Sequence, residues 1–307
     1  MMPAALDVPE SRSPTSGAPV APRPARPPAL QDLWASMRDL ACHHELLVEL
    51  TKRDLRIRYT QAAMGVLWAV LTPLVVALSG WMIRFGMSYL AGAPIRAPEL
   101  AGIAIKAVAW SFFTGAISFG TLSLTANLPL VTKVYFPRAI LPLSAVTTQM
   151  VDTAIGAAAL LVVLPLAHIG VHRTLLWVPV LLVLLVLFTS GVTLIAAAGN
   201  VFYRDAKHVI QLVTSFGIFF TPVFFDAGAF GPRGTRFLLL NPLGPVFEGL
   251  RLAIVEGHPL LVPLVNAQGK VLWSPAYLGY AALWAVGLAF FGALLFRRVE
   301  FSFAEYV

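Results

Sequence analysis

The sequence predicts an all-α integral membrane protein with six transmembrane helices. Of its 307 residues, 58% are hydrophobic and only 12% are charged, and the mean hydropathy is +0.78. A water-soluble core of ordinary size cannot bury so much apolar surface, so lipid must solvate part of the chain. Uncharged runs near or above the ~20 residues that cross a ~30 Å hydrocarbon layer mark the spans.

The chain is expected to begin with a disordered cytoplasmic tail, residues 1–30. This segment holds eight of the 23 prolines and contains no apolar core of a signal peptide. An amphipathic helix is predicted over residues 31–60, and its end reads "KRDLRIR". Glu49 precedes Arg53 by four positions, which favours an ion pair. We expect this helix to lie along the inner leaflet; a solvated charged face without a partner is the alternative.

The transmembrane domain is predicted over residues 61–298. Its six spans are expected at about 64–90, 100–127, 139–167, 175–199, 208–225 and 275–296. Pro73 should bend the first span, where Thr72 can help to satisfy the carbonyl that the proline frees. Residues 299–307 form a short cytoplasmic tail.

The distribution of Lys and Arg predicts the orientation in the membrane. Six spans put both termini on one side, and the cytoplasmic side is the one richer in cations. The segments expected on that side carry Lys52, Arg53, Arg56, Arg58, Lys133, Arg138, Arg204, Lys207, Arg297 and Arg298, whereas the short outer loops carry only Arg96 and Arg173. The net charge of +7 therefore indicates topology and attraction to anionic lipid, and not nucleic-acid binding.

The segment 226–274, before the last span, is too long for a simple connection and too apolar for a solvated one. Pro245 suits a first helical position, and Phe247, Leu250 and Ile254 form a stripe. Two short re-entrant helices that dip into the outer leaflet fit this pattern. Glu248 and Arg251 are three positions apart and are expected to pair on the polar face.

Charged and aromatic residues inside the spans indicate candidates for a polar path. Asp152 is predicted about 18 Å along the third span, near the middle of the bilayer, where an isolated charge is costly. It lines a conduit or has a structural partner. Arg84 and Lys106 should extend toward the outer surface. The candidates for the translocation path are Trp68, Phe112, Asp152, Phe216, Phe219 and Phe220; packing and interfacial anchoring are the alternative for most of the aromatic ones.

Motifs for enzyme chemistry are absent from the sequence. There is no G-x-x-x-x-G-K-[ST] phosphate loop, no G-x-S-x-G elbow and no H-E-x-x-H motif. His168 and His172 have the spacing of metal ligands on a helix, but Pro165 and Gly170 favour a loop there. We predict no catalytic residue, no metal site and no cofactor bound by this chain.

Several stretches, in order, resemble the permease subunits of type-two ABC exporters that move polysaccharides and polyol phosphates. "LTKRDLRIRYTQAAMGVLWAVLTPL" is similar to the opening of those subunits, and "NLPLVTKVYFPRAILPLSAV" to their cytoplasmic connection between helices two and three. "NVFYRDAKHV", "TPVFF", "LNPLGPVFEGLR" and "FRRVEF" follow in the same order. The resemblance covers about residues 45–303, and "HPLLVPLVNAQGKVLW" departs from it by its length.

The resemblance implies a homodimer that forms a channel and is driven by two copies of a cytoplasmic ABC ATPase, which binds the ATP and Mg²⁺. It implies a coupling helix between spans two and three, in which Lys133, Tyr135, Phe136 and Arg138 contact the ATPase; simple positive-inside anchoring is the alternative for them. The amphipathic helix would pack against the ATPase through Glu49, Arg53, Arg56 and Arg58. The short outer helices with Glu248 and Arg251 would gate the exit.

The function that follows is a permease subunit in the bacterial cytoplasmic membrane, in contact with membrane lipids, that translocates an undecaprenyl- or lipid-linked polysaccharide. O-antigen, capsule and teichoic-acid-like polymers are all compatible. The alternatives are an intramembrane glycosyl- or acyltransferase that acts on polyprenyl-linked sugars, and a type-two exporter of a drug or small lipid.

Overall fold

The computed structural model describes residues 38, 42–60, 62, 64–92, 94–133, 136–265, 271–300 and 303. The predicted tail 1–30, residues 31–37 and most of the predicted tail 299–307 lie outside the described residues. The helices in chain order are α1 His44–Thr60, α2 Leu67–Ala91, α3 Ala97–Ala126, α4 Leu128–Lys133, α5 Ile140–Leu166, α6 Val178–Phe202, α7 Ala206–Gly217, α8 Gly231–Leu240, α9 Gly244–Arg251 and α10 Pro275–Glu300. Shorter helical turns occupy Arg173–Trp177, Ile218–Phe220, Ala227–Phe230 and Leu252–Glu256.

Five helices in the described part of the chain are long and apolar enough to cross a membrane: α2, α3, α5, α6 with the turn before it, and α10. They coincide with predicted spans one to four and six. The fifth predicted span, 208–225, differs, because its helix with the following turn covers only Ala206–Phe220. At 1.5 Å per residue this is about 22 Å, short of a ~30 Å hydrocarbon layer.

The third helix, α3, forms the centre of the protein. It packs against α2, α5, α6, α7 and α9, and most of its apolar stretch is buried, whereas only a small share of the apolar stretch of α2, α5 and α10 is fully buried. Its side chains Trp110, Phe112 and Phe113 belong to the largest hydrophobic cluster, together with Phe188 and Phe247. Because α3 carries apolar residues on every side along most of its length, it suits a position enclosed by other helices.

The last helix, α10, packs closely along α6 because two glycines meet. A Cβ atom added to Gly292 would lie 2.5 Å from the carbonyl oxygen of Gly191, and one added to Gly191 would lie 2.4 Å from the backbone of Leu288. Small residues let membrane helices approach until their backbones touch. This contact therefore sets the distance between the two helices.

The segment before α10 folds against the core instead of standing apart as amphipathic helices. The pair Arg233–Leu240 and Gly244–Glu256 is bent by 114°, and all eight residues of α9 are buried. Pro245 occupies the first turn of α9, as predicted. The longer stretch that follows contains an antiparallel hairpin, β1 Leu264–Val265 and β2 Val271–Trp273, which the sequence pattern did not reveal.

A second hydrophobic cluster lies at the end of the bundle that carries α4, and we call this end the inner end. It joins Leu50 of α1, Leu124 of α3, Val131 of α4, Ile140 of α5 and Phe296 of α10. Parts of α1, α3, α4, α5, α6 and α10 thus pack into one unit around the α3–α5 connection.

Candidate functional site

The connection between α3 and α5, residues 127–139, is held by the inner hydrophobic cluster and by the end of α10. The side chain of Lys133 and the whole of Tyr135 lie outside the described residues. Phe136 is half-buried and packs against the inner hydrophobic cluster. The backbone N–H of Arg138 donates to Oε1 of Glu300 (2.6 Å). Nη1 of Arg138 donates to the backbone carbonyl oxygen of Glu300 (2.5 Å). The end of α10 therefore fixes this connection.

Some charged residues of α1 face solvent, and others contact the rest of the protein. Glu49 accepts a hydrogen bond from Lys52 (2.8 Å), which lowers the pKa of Glu49. The predicted pair between Glu49 and Arg53 is therefore wrong: Arg53 donates to Asp54 (2.8 Å) and to Asn127 (3.0 Å), at the start of the α3–α5 connection. Asn127 is within reach because α1 lies beside that connection.

The remaining two arginines of α1 differ in exposure. Arg56 is exposed, whereas Arg58 is only partly exposed and pairs with Asp152 of α5. The neighbouring Tyr59 hydroxyl also donates to Asp152, and Arg58 donates to Gln149 (3.3 Å). We call Arg58, Tyr59, Gln149 and Asp152 the inner charged cluster.

Both carboxylate oxygens of Asp152 accept a hydrogen bond from the inner charged cluster, Oδ2 from Arg58 and Oδ1 from Tyr59. Burial lowers the pKa of Arg58 but leaves a guanidinium charged at any ordinary pH. Burial raises the pKa of Tyr59, so its hydroxyl keeps its proton and can donate. Asp152 is thus not an isolated charge in the bundle; it has the structural partner that was one of the two predicted alternatives.

A second set of charges, Lys106, Asp226, Glu248, Arg251 and Glu256, forms what we call the outer charged cluster. Lys106 of α3 is fully buried, so the prediction that it extends toward the outer surface is wrong. Its Nζ donates to the Phe225 carbonyl (2.7 Å) and to Asp226 (3.2 Å) and lies 3.9 Å from Glu248. A buried ammonium requires such partners, because desolvation is costly.

The predicted pair of Glu248 and Arg251 is present, but it is buried and not on a polar face. Nη2 of Arg251 donates to Glu248 at 2.6 Å, and Nη1 donates to Glu256 at 2.6 Å. Nε of Arg251 also lies 3.2 Å from Asp226. Asp226 therefore faces two cations, Lys106 and Arg251. This cluster joins α3, the chain before α8, and α9.

Two cavities border these clusters. The outer cavity, of about 400 Å³, is lined by the outer charged cluster without Lys106 and by Arg84 and Glu99, which form a separate ion pair (2.6 Å). The inner cavity, of about 290 Å³, is lined by the inner charged cluster and by residues of α2 and α3. Asp226 and Glu256 were not singled out in the sequence, and Lys106 was expected at the outer surface. The available signal for Lys106 and Asp226 was that each is a single charge at one end of a long uncharged run.

The candidate path residues fall into two groups. Trp68, Phe216, Phe219 and Phe220 are each more than half exposed, on α2, α7 and the turn after α7. Phe112 is only 2% exposed and is enclosed by the chain's own core. The prediction that Phe112 lines the translocation path is therefore wrong, because its ring faces neighbouring helices of the same chain.

The predicted loop around His168 and His172 is present, since α5 ends at Leu166 and the next turn begins at Arg173. Within the described ranges no group of three or more His, Cys, Asp or Glu side chains could hold a metal ion.

Comparison with known proteins agrees with this architecture. The family described as "ABC-2 type transporter" matches residues 45–255. An O-antigen export system permease protein RfbA of Klebsiella pneumoniae is 24% identical over 258 residues, which cover 83% of this chain and 94% of that protein. The protein of the same name in Myxococcus xanthus is 27% identical over 270 residues, which cover 87% of this chain and 97% of that protein. The matched family region contains four of the five long apolar helices and both charged clusters except Glu256, and this chain belongs to the ABC-2 type transporter family.

Proposed function

We propose that this chain is the permease subunit of an ABC exporter that moves a lipid-linked polysaccharide across the bacterial inner membrane. The observation that carries the proposal is its correspondence, over 94–97% of their length, with proteins named as O-antigen export permeases. Family membership makes the chain a transporter membrane protein, and a transferase acting on polyprenyl-linked sugars is not favoured. A capsule or teichoic-acid-like polymer remains within the proposed substrate class.

The motor in this proposal is a separate cytoplasmic ATPase, present in two copies, that binds ATP and Mg²⁺. The sequence has no phosphate loop, so nucleotide hydrolysis by that route needs another polypeptide. Two copies of the permease then form the channel. Exposed aromatic side chains on α2 and around the end of α7, Trp68, Phe216, Phe219 and Phe220, support these helices as the faces that meet the second copy or the polymer.

The coupling surface in this proposal is the α3–α5 connection with residues Lys133, Tyr135, Phe136 and Arg138. Phe136 and Arg138 are supported by their links to the inner hydrophobic cluster and to Glu300, since a push on this connection would reach α1, α5 and α10 together. The exposed Glu49 and Arg56 of α1 extend the surface offered to the ATPase. Arg53 and Arg58 act within the chain instead, because their partners are internal.

The exit gate in this proposal is the bent pair α8 and α9. Glu248 and Arg251 tie α9 to α3 through the outer charged cluster. If the gate opens by movement of α9, these ion pairs must rearrange, because Lys106 and Asp226 belong to other elements. The cluster therefore determines the energy needed to open the gate.

The proposal is tested by reconstituting the chain with its companion ATPase in liposomes that contain labelled lipid-linked polysaccharide. We expect ATP-dependent translocation only when both proteins are present. Phe136→Ala should lower translocation and ATPase association by about tenfold or more, as loss of a central aromatic contact usually does. The control is Phe291→Ala, which removes an exposed aromatic ring on α10, outside the proposed gate. Full-rate translocation by the chain alone would disprove the proposal, and unchanged export by the Phe136 variant would remove the coupling role.

A further inference from the structure

The inner cavity lies within one copy of the chain, where four helices meet. Its walls come from the end of α1, from α2, from α3 and from α5. Its volume of about 290 Å³ is at the small end of the range of ~300–1,000 Å³ for small-molecule pockets. It can hold one or two rings but not a folded polymer. Trp68, which is 53% exposed, lines it and makes it accessible from outside.

One buried polar atom in this cavity has no protein partner. Ser111 of α3 is only 6% exposed, and its hydroxyl forms no hydrogen bond to any part of the chain that the structure describes. A buried hydroxyl without a partner costs about 1–3 kcal/mol. Because Ser111 lines the cavity, a molecule within the cavity is the natural partner for this hydroxyl.

A glycine brings an amide group to the same cavity. A Cβ atom on Gly115 would lie 2.6 Å from Cδ and Oε1 of Gln149 and 2.9 Å from its Nε2. The missing side chain at position 115, one turn after Ser111 on α3, is therefore what makes room for the amide group of Gln149. An amide group both donates and accepts hydrogen bonds, which suits hydroxyl groups of a ligand.

Charge decides which class of ligand fits. The two full charges lining the cavity, Arg58 and Asp152, pair with each other, so the lining is neutral overall. An anion such as a phosphate would have to compete with Asp152 for Arg58, and would gain little. Hydroxyl groups, an amide group and an exposed indole ring instead match a neutral sugar, which has polar edges and an apolar face.

We propose that the inner cavity binds a single neutral sugar unit, held by Ser111 and Gln149 and covered by the indole ring of Trp68. That this sugar belongs to the exported polymer rests on the proposed function; the binding site itself does not. The site lies inside each copy, and Phe216, Phe219 and Phe220 are not among its lining residues. It would let the permease distinguish among sugars before the polymer enters the channel.

The experiment measures ligand binding to the purified full-length chain in neutral lipid nanodiscs, without ATPase or nucleotide. The probes are methyl α-glucoside, methyl α-mannoside and N-acetylglucosamine at millimolar concentration, with cyclohexanol and inorganic pyrophosphate for comparison, read by saturation-transfer NMR. We expect at least one sugar to bind, and to bind more strongly than both comparison probes. Ser111→Ala should weaken that binding about 2- to 10-fold, the usual effect of one lost hydrogen bond, and Trp68→Ala should weaken it similarly.

The matched controls are Thr148→Val and Trp284→Ala. Thr148 also has a buried hydroxyl without a partner among the described residues, but it does not line the cavity, and Trp284 is an exposed tryptophan on α10. Both should bind sugar as the wild type does, and thermal unfolding of each variant verifies its fold. Absence of sugar binding to the wild type, stronger binding of pyrophosphate, or unchanged binding in both cavity variants would each overturn the inference. ATP-driven export that persists alongside any of these results would leave the proposed function intact.

Discussion

A buried cation such as Lys106 stabilises a protein only while its carboxylate partners stay within reach. Its ammonium group contacts the carboxylates of Asp226 and Glu248 and a backbone carbonyl. Removal of its charge therefore leaves these carboxylates without one of their cation partners. An exposed pair such as Lys52 and Glu49 contributes little, because water and salt screen it. Two lysines in one chain thus have very different energetic roles.

The first prediction compares these two lysines. Lys106→Met should destabilise the chain by about 3–5 kcal/mol, as breaking a buried ion pair does, which lowers the midpoint of thermal unfolding in detergent by roughly 5–15 °C. Lys52→Met should leave the midpoint nearly unchanged. Equal midpoints for the two variants would mean that the outer charged cluster does not hold α9 against α3.

Among the helices, the contact between α6 and α10 depends on the absence of two side chains. At Gly292 the nearest obstacle is the backbone of Gly191, which cannot rotate away as a flexible side chain can. Since α10 also ends at Glu300, which binds the α3–α5 connection, a displacement of α10 would be transmitted to the proposed coupling surface. Packing in the bundle and the geometry of the coupling surface are therefore linked.

A pair of alanine substitutions on α10 tests this link. Gly292→Ala should cost roughly 1–3 kcal/mol of stability through overpacking and should reduce ATPase association. Gly287→Ala is the control, because a Cβ atom there meets nothing within 4 Å, and alanine favours a helix over glycine. If both variants have the same stability, the two helices do not approach as closely as the structure indicates.

For the whole molecule, the central question is how often the chain crosses the membrane. Five helices of the described chain suffice to span it, and termini on the same side require an even number of crossings. We predict the sixth crossing between α6 and α10, where the chain forms the short α7 and then the bent pair α8 and α9. The excess of Lys and Arg at the inner end predicts that both termini are cytoplasmic.

The single cysteine, Cys42, allows a direct test of this orientation, since it is exposed just before α1. A membrane-impermeant maleimide should label Cys42 only after the cells are permeabilised. In a Cys42→Ser background, Leu261→Cys places a thiol at an exposed position of the opposite segment, and this thiol should react in intact cells. Reversed labelling of the two thiols would invert the proposed topology.

How well the sequence predicts an element depends on the length of its apolar run. The ends of α2, α3, α5, α6 and α10 follow from local hydropathy, to within a few residues. The short α7 and the hairpin β1–β2 do not, because an apolar run of intermediate length fits a span, a short helix or a buried strand equally well.

By itself, the sequence determined the class of the protein, its long apolar helices and its resemblance to exporter permeases, because these depend on composition and on neighbours within a few turns. Only the tertiary structure decided which charges are buried and what they contact. Arg58 and Asp152 are 94 positions apart, and Lys106 and Asp226 are 120 apart. Partners so distant are chosen by how the helices pack, and the energy of a buried charge depends on that choice.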